Sequence, residues 1–182
     1  RSECTSASTL ELVTLVKEAG FPDGVVNVVT GFGRDVGEPL TNHPLVRKIA
    51  FTGSDATGRV INEVAAKSFK RVTLELGGKS PNIVFDDANL NDAVNGAVSG
   101  IFAATGQTCI AGSRLLLQET IYDEFMDKLI SLAKTARMGN PMSTETQVGP
   151  ITTKPQYEKV LGYIDIAKTE GAKLALGGTP AT

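Results

Sequence analysis

Apolar positions recur at helical spacing through "STLELVTLVKEAG" (8–20), and Gly20 follows as a C-terminal stop, so the pattern predicts a helix there. The texture then changes. "GVVNVV" (24–29) is a β-branched run bounded by Gly24 and by "TGFG", which reads as a buried strand, and "VRKIAF" (46–51) reads as the next one. "ATGRVINEVAAKS" (56–68) returns to helical spacing, and "RVTLEL" (71–76) is again strand-like. Strands alternating with helices predict βαβ units and a parallel sheet.

The second part of the chain repeats this style. "NIVF" (82–85) and "SRLLLQ" (113–118) read as strands on either side of a helix rich in small residues, "LNDAVNGAVSGIFAA" (90–104). An amphipathic helix, "IYDEFMDKLISLAKTA" (121–136), is followed by a loop (138–151), a helix over 156–171 and a last strand, "KLALGG" (173–178). "ELGGKSP" (75–81), with two glycines and a proline, interrupts the alternation and is the expected hinge between two domains, 1–75 and 76–182.

Composition narrows the classes. At 182 residues the chain can bury a core as one domain or two small ones, and a net charge of -2 offers no electrostatic footing for nucleic acid or anionic lipid. No apolar run approaches the roughly 18 residues of a membrane span, so no membrane partner is expected. Two cysteines, Cys4 and Cys109, are too few for a disulfide framework and suggest a reducing, cytoplasmic compartment. With a single histidine, His43, and no Cys or His cluster, no metal site is expected, and a Cys-His or Ser-His pair has only a loop histidine to draw on. The chain starts at Arg1-Ser2-Glu3 with no leader-like segment and stops just after "LALGGTPAT"; both ends read as cut, and the expectation is a piece of a longer protein.

Three stretches could carry chemistry. "KIAFTGSDATGR" (48–59) runs from a strand through a turn into a helix, whose N-terminal N–H groups and dipole suit a phosphate, with Ser54 able to cap the helix or bond a phosphate oxygen. Many helices start this way without a ligand. The nearby "TGFGRDVG" (30–37) adds a Gly-x-Gly loop, but it lacks the full GxGxxG fingerprint and is equally read as a turn that needs glycine. In "LELGGKSP", Glu75 stands at a strand end, where ligands of open α/β sheets collect and a carboxylate can act as a general base; a helix cap or a pair with Lys79 is the plainer reading. In "FAATGQTCIAGSR" (102–114), Cys109 sits among small residues that leave room for a substrate, and a thiolate is a strong nucleophile toward carbonyl carbon; a small core cysteine is the plainer alternative. The residues alone reach a nucleotide-using cysteine enzyme.

Taken together, these segments resemble the aldehyde dehydrogenase superfamily. "LELGGKSP" resembles its glutamate signature and "FAATGQTCIAGSR" its cysteine signature, in the family's order and spacing. "GFPDGVVNVVTGFG", "HPLVRKIAFTGSDATGR", "IYDEF", "GNPMSTETQVGPI" and "EGAKLALGG" extend the likeness over essentially the whole chain. The resemblance implies an α/β fold, with part of a nucleotide-binding parallel-sheet domain followed by most of a second α/β catalytic domain. It implies that Cys109 attacks an aldehyde as thiolate, that hydride passes to a nicotinamide, and that Glu75 activates the water that hydrolyses the thioester. The amide of Cys109 would donate to the oxyanion.

The cofactor residues implied are Gly53, Ser54 and Gly58 at the helix N-terminus, Gly33 near the adenosine, and Leu76 and Gly77 beside the nicotinamide. Glu3 would bond the ribose hydroxyls and favour NAD over NADP, although NADP stays possible. The resemblance also implies a homodimer or homotetramer. Three departures stand out. The family's lysine partner would precede Arg1, which occupies a position where proline is common; Asp55 replaces the usual threonine; and the family's oxyanion-hole asparagine and nicotinamide-ribose glutamate have no counterpart here. The alternatives are a CoA-acylating semialdehyde dehydrogenase, which Glu75 argues against, and a non-catalytic relative, which the presence of both Cys109 and Glu75 argues against. A nucleotide-free cysteine hydrolase would need a histidine partner.

Overall fold

The computed structural model describes residues 3–181, so Arg1 lies outside the described residues. The chain divides into two compact units, Arg1–Gly77 and Gly78–Thr182.

In the first unit, helix α1 spans Ala7–Glu18. Gly20 follows at φ 83, a left-handed turn that glycine adopts without a Cβ penalty. A π-helical turn, Gly33–Gly37, runs directly into the short helix α2, Glu38–Asn42. Strand β1, Lys48–Gly53, then leads through helix α3, Asp55–Ala66, into strand β2, Arg71–Leu76. β1 and β2 pair in parallel, Lys48 opposite Arg71 through Gly53 opposite Leu76. Parallel pairing needs a crossover, and α3 provides it. Its buried residues Ile61 and Ala65 pack with Ile49 into a small core, which Val46, Phe51, Val72 and Leu74 extend.

The second unit repeats the device. Strand β3, Pro81–Val84, pairs in parallel with strand β4, Arg114–Leu117, and helix α4, Leu90–Phe102, is the crossover. Asn89 caps α4, its side-chain oxygen accepting from the amides of Asn91 and Asp92 at 3.1 and 3.3 Å. Helix α5, Tyr122–Ala133, inserts Phe125 into a cluster with Val84, Val94 and Ala97. Phe125 is completely buried, worth about 1.5–3 kcal/mol relative to exposure. Helix α6, Lys154–Thr169, follows the 138–151 loop.

Two expected strands are not strands. Residues 24–29 enter no ladder: Val25 N–H donates to Pro22 O at 3.2 Å, and the Asn27 side chain donates to Gly24 O at 2.8 Å. The Pro22-Asp23-Gly24 turn signal therefore wins over β propensity. Residues 173–178 are likewise irregular, with Gly177 and Gly178 at φ 72 and 76 and Lys168 Nζ donating to Gly178 O at 3.4 Å. The helix expected over 90–104 stops two residues early, because Ala104 adopts a left-handed conformation. Among the described residues no helix is long and apolar enough to cross a membrane.

Candidate active site

Register brings several predicted residues of the first unit to one place. The β1–β2 ladder ends with Thr52 opposite Glu75 and Gly53 opposite Leu76, so Gly53, Ser54, Glu75, Leu76 and Gly77 all gather at the carboxyl ends of two parallel strands. This is where ligands of open α/β sheets bind. Glu75 is exposed there, on the alternating outward face of β2.

Ser54 is the N-cap of α3. Its Oγ accepts from the Thr57 amide at 3.2 Å and donates to Thr57 Oγ1 at 3.0 Å. The local sequence explains this, since Ser is among the best N-caps and Asp55 complements the dipole in the first turn. Gly58 matters for packing, because a Cβ there would come within 2.7 Å of Leu76 Cδ2; its bare Cα lets α3 lie against β2.

Beside the α3 N-terminus runs a groove of about 940 Å³. Its floor is β1, its one wall α3 from Ala56 to Val64, and its other wall the segment from Gly33 to Thr41. Gly33 thus faces the same groove as the first turn of α3. A Cβ on Gly33 would meet no atom within 4 Å, so that wall is open to a ligand. Glu3 begins a single 3-10 turn, Glu3–Thr5. His43 is spent on the exit from α2, its Nδ1 accepting from the Leu45 amide at 3.2 Å.

In the second unit Cys109 lies exposed, with no disulfide, in the loop between α4 and β4. Three consecutive left-handed residues lead into that loop: Ala104 at φ 49, Thr105 at φ 59 and Gly106 at φ 71. For an alanine and a β-branched threonine this conformation costs about 1–2 kcal/mol each. It is held by two bonds within the loop and one to a distant segment. Gln107 N–H donates to Ala104 O at 3.1 Å, Ala111 N–H to Thr108 O at 3.1 Å, and Thr105 Oγ1 to Gly149 O at 3.3 Å. Ala111 is buried and anchors the far side of the loop. Among the described residues the Cys109 amide donates to no other group, so it stays available to one. The Cys109 carbonyl lies 3.5 Å from where a Cβ on Gly78 would sit.

Sequence reasoning missed the α2 wall of the groove and the left-handed pair before Cys109. Pro39, in the first turn of α2, was the available sign of a helix start. Nothing in "AAT" announces positive φ.

The sequence pattern described as "Aldehyde dehydrogenase family" matches residues 1–182. The chain belongs to the aldehyde dehydrogenase family. It is 50% identical to the betaine aldehyde dehydrogenase of Mesorhizobium japonicum over 97% of this chain and 36% of the relative. It is 51% identical to aldehyde dehydrogenase 1A1 of Oryctolagus cuniculus over 98% of this chain and 36% of that protein. The structure of a Bacillus cereus aldehyde dehydrogenase in complex with NAD+ superposes with a TM-score of 0.95 at 48% identity, covering 99% of this chain and 37% of the other. This aldehyde dehydrogenase chain therefore spans about 36% of the length of its curated relatives. Its parallel α/β units correspond to part of the family's solved structures.

Proposed function

We propose that the full-length protein carrying this chain oxidises an aldehyde to a carboxylic acid with NAD. Residues 1–75 would supply the C-terminal half of the nucleotide-binding domain and residues 76–182 the cysteine-bearing catalytic domain. The observation that carries the reading is Cys109: an exposed thiol on a loop held in an unfavourable backbone conformation, with its own amide unused. Backbone strain kept at one point is a mark of a positioned group.

Cys109 would add to the aldehyde carbon, and its amide would donate to the oxygen that becomes negative, an interaction worth about 3–4 kcal/mol in comparable sites. NAD supplies the hydride acceptor. Glu75 would take a proton from the water that releases the acid. The groove suits the adenosine half of the cofactor, with Gly33 on one wall and the α3 N-terminus on the other; Gly53 and Ser54 would meet the pyrophosphate, and Leu76 and Gly77 the nicotinamide. Glu3, by its family position, would bond the ribose hydroxyls and repel a 2′-phosphate, which favours NAD over NADP. The same reading carries a homodimeric or homotetrameric assembly and a cytoplasmic location.

The test is reduced-cofactor formation by the full-length protein with a panel of aldehydes, with NAD or NADP and with or without CoA. Turnover with NAD and no CoA is expected, and the best aldehyde identifies the substrate class. Dependence on CoA would replace hydrolysis by acyl transfer. Binding of NAD without turnover of any aldehyde would point to a non-catalytic relative.

A further inference from the structure

The α2 wall of the groove is held from outside the helix. α2 has five residues and buries none of its side chains. Two of its polar side chains are spent within it: Thr41 Oγ1 and Asn42 Nδ2 both donate to the backbone carbonyl of Glu38, at 3.0 and 2.9 Å. A helix C-terminus also leaves its last carbonyls without intrahelical donors.

Lys70 supplies donors to this end of α2. Its ammonium donates to Thr41 O at 2.7 Å and to His43 O at 2.7 Å. Both bonds are short and charge-assisted, and a cation suits the negative end of a helix. Among the described residues these are the side-chain hydrogen bonds that join α2 and its cap to a distant segment, the connection between α3 and β2. The chain takes an unusual path to place Lys70 there. Phe69 turns through φ 52 with its side chain 96% exposed, and the Lys70 amide closes back on Ala65 O at 3.0 Å.

Thr41, whose carbonyl Lys70 holds, lines the groove, whereas Lys70 itself does not. We propose that Lys70 is a positioning residue for nucleotide binding, clamping the end of α2 so that the groove keeps the width an adenosine needs. The inference rests on the reading of this groove as the adenosine site. A wall fixed before binding spares the ligand the cost of ordering it.

The experiment is Lys70→Met in the full-length protein, with AMP as the binding probe. Met keeps an unbranched stem and removes the donors. The Kd for AMP and the KM for NAD should rise together by about tenfold. The kcat at saturating NAD, the KM for the aldehyde and the affinity for nicotinamide mononucleotide should stay at wild-type values. Lys70→Arg, which keeps charge and donors, should recover most of the AMP affinity. A folded Lys70→Met protein that binds AMP as wild type does overturns the proposal, as does a fall in kcat with KM for NAD unchanged. If Lys70→Met does not fold, Lys70→Gln is read in its place; failure of both to fold makes Lys70 a purely structural lysine and overturns the proposal. A wild-type protein that binds no AMP overturns the groove reading itself, before any variant is compared.

Discussion

The two units place their candidate functional groups by opposite means. In the first, Ser54, Glu75 and the α3 N-terminus are where they are because regular elements end there: a strand, an N-cap and a parallel register fix each one. In the second, Cys109 is placed by backbone that its residues disfavour, Ala104 and Thr105 in left-handed conformation with neighbouring bonds holding them. A site built on element ends is stabilised by the same interactions that stabilise the fold. A site built on a strained loop is stabilised by the surroundings alone. The first is tolerant and the second is exacting.

The largest expected effect separates the two regions by chemistry. Cys109→Ala in the full-length protein should lower aldehyde turnover by about 10⁴-fold or more while leaving NAD affinity unchanged. Reduced-cofactor absorbance and a binding titration read the two quantities on one sample. Retained turnover would remove the thiol from the mechanism.

Glu75→Gln comes next, with a loss of about 10²–10⁴-fold in steady-state rate. If Glu75 acts after the thiol, a single stoichiometric burst of reduced cofactor should survive the substitution. A burst that disappears with the steady state would move Glu75 to an earlier step.

Stability then tests the packing contrast. Ala104→Gly should stabilise by about 1 kcal/mol, since it removes a left-handed alanine whose side chain is exposed. Gly58→Ala should change stability by less than about 1 kcal/mol, because its Cβ meets only the movable methyl tip of Leu76 while alanine gains helix propensity over glycine inside α3. The denaturation midpoint, at unchanged m-value, measures both. A destabilised Ala104→Gly protein would mean that the methyl group there does more than bear strain.

The same contrast explains what could be read in advance. "RVTLEL" matches β2 over 71–76, because alternating Val72, Leu74 and Leu76 already distinguish an inner face from an outer one. α3 and its cap were legible from Ser54 and the apolar spacing behind it. Cys109 and Glu75 were singled out by their setting among glycines and small residues, and the family resemblance gave them roles.

What was hidden depended on partners. "GVVNVV" has the composition of a strand, but a strand exists only with a neighbour to pair with, and the turn at Pro22–Val25 takes its backbone groups instead. α2 was hidden because five residues carry too little periodicity to read. Lys70 was hidden because its two acceptors lie 29 and 27 residues away in sequence.

The pairing of strands two by two has a practical consequence. β1 and β2 form one sheet of two strands, and β3 and β4 another. Each strand therefore has one edge whose N–H and C=O groups face no neighbouring strand among the described residues. Such edges are templates for strand addition, and two-stranded sheets are at best marginally stable by themselves. Expressed by itself, this chain should self-associate through those edges, and light scattering against concentration will register it as growth in particle size.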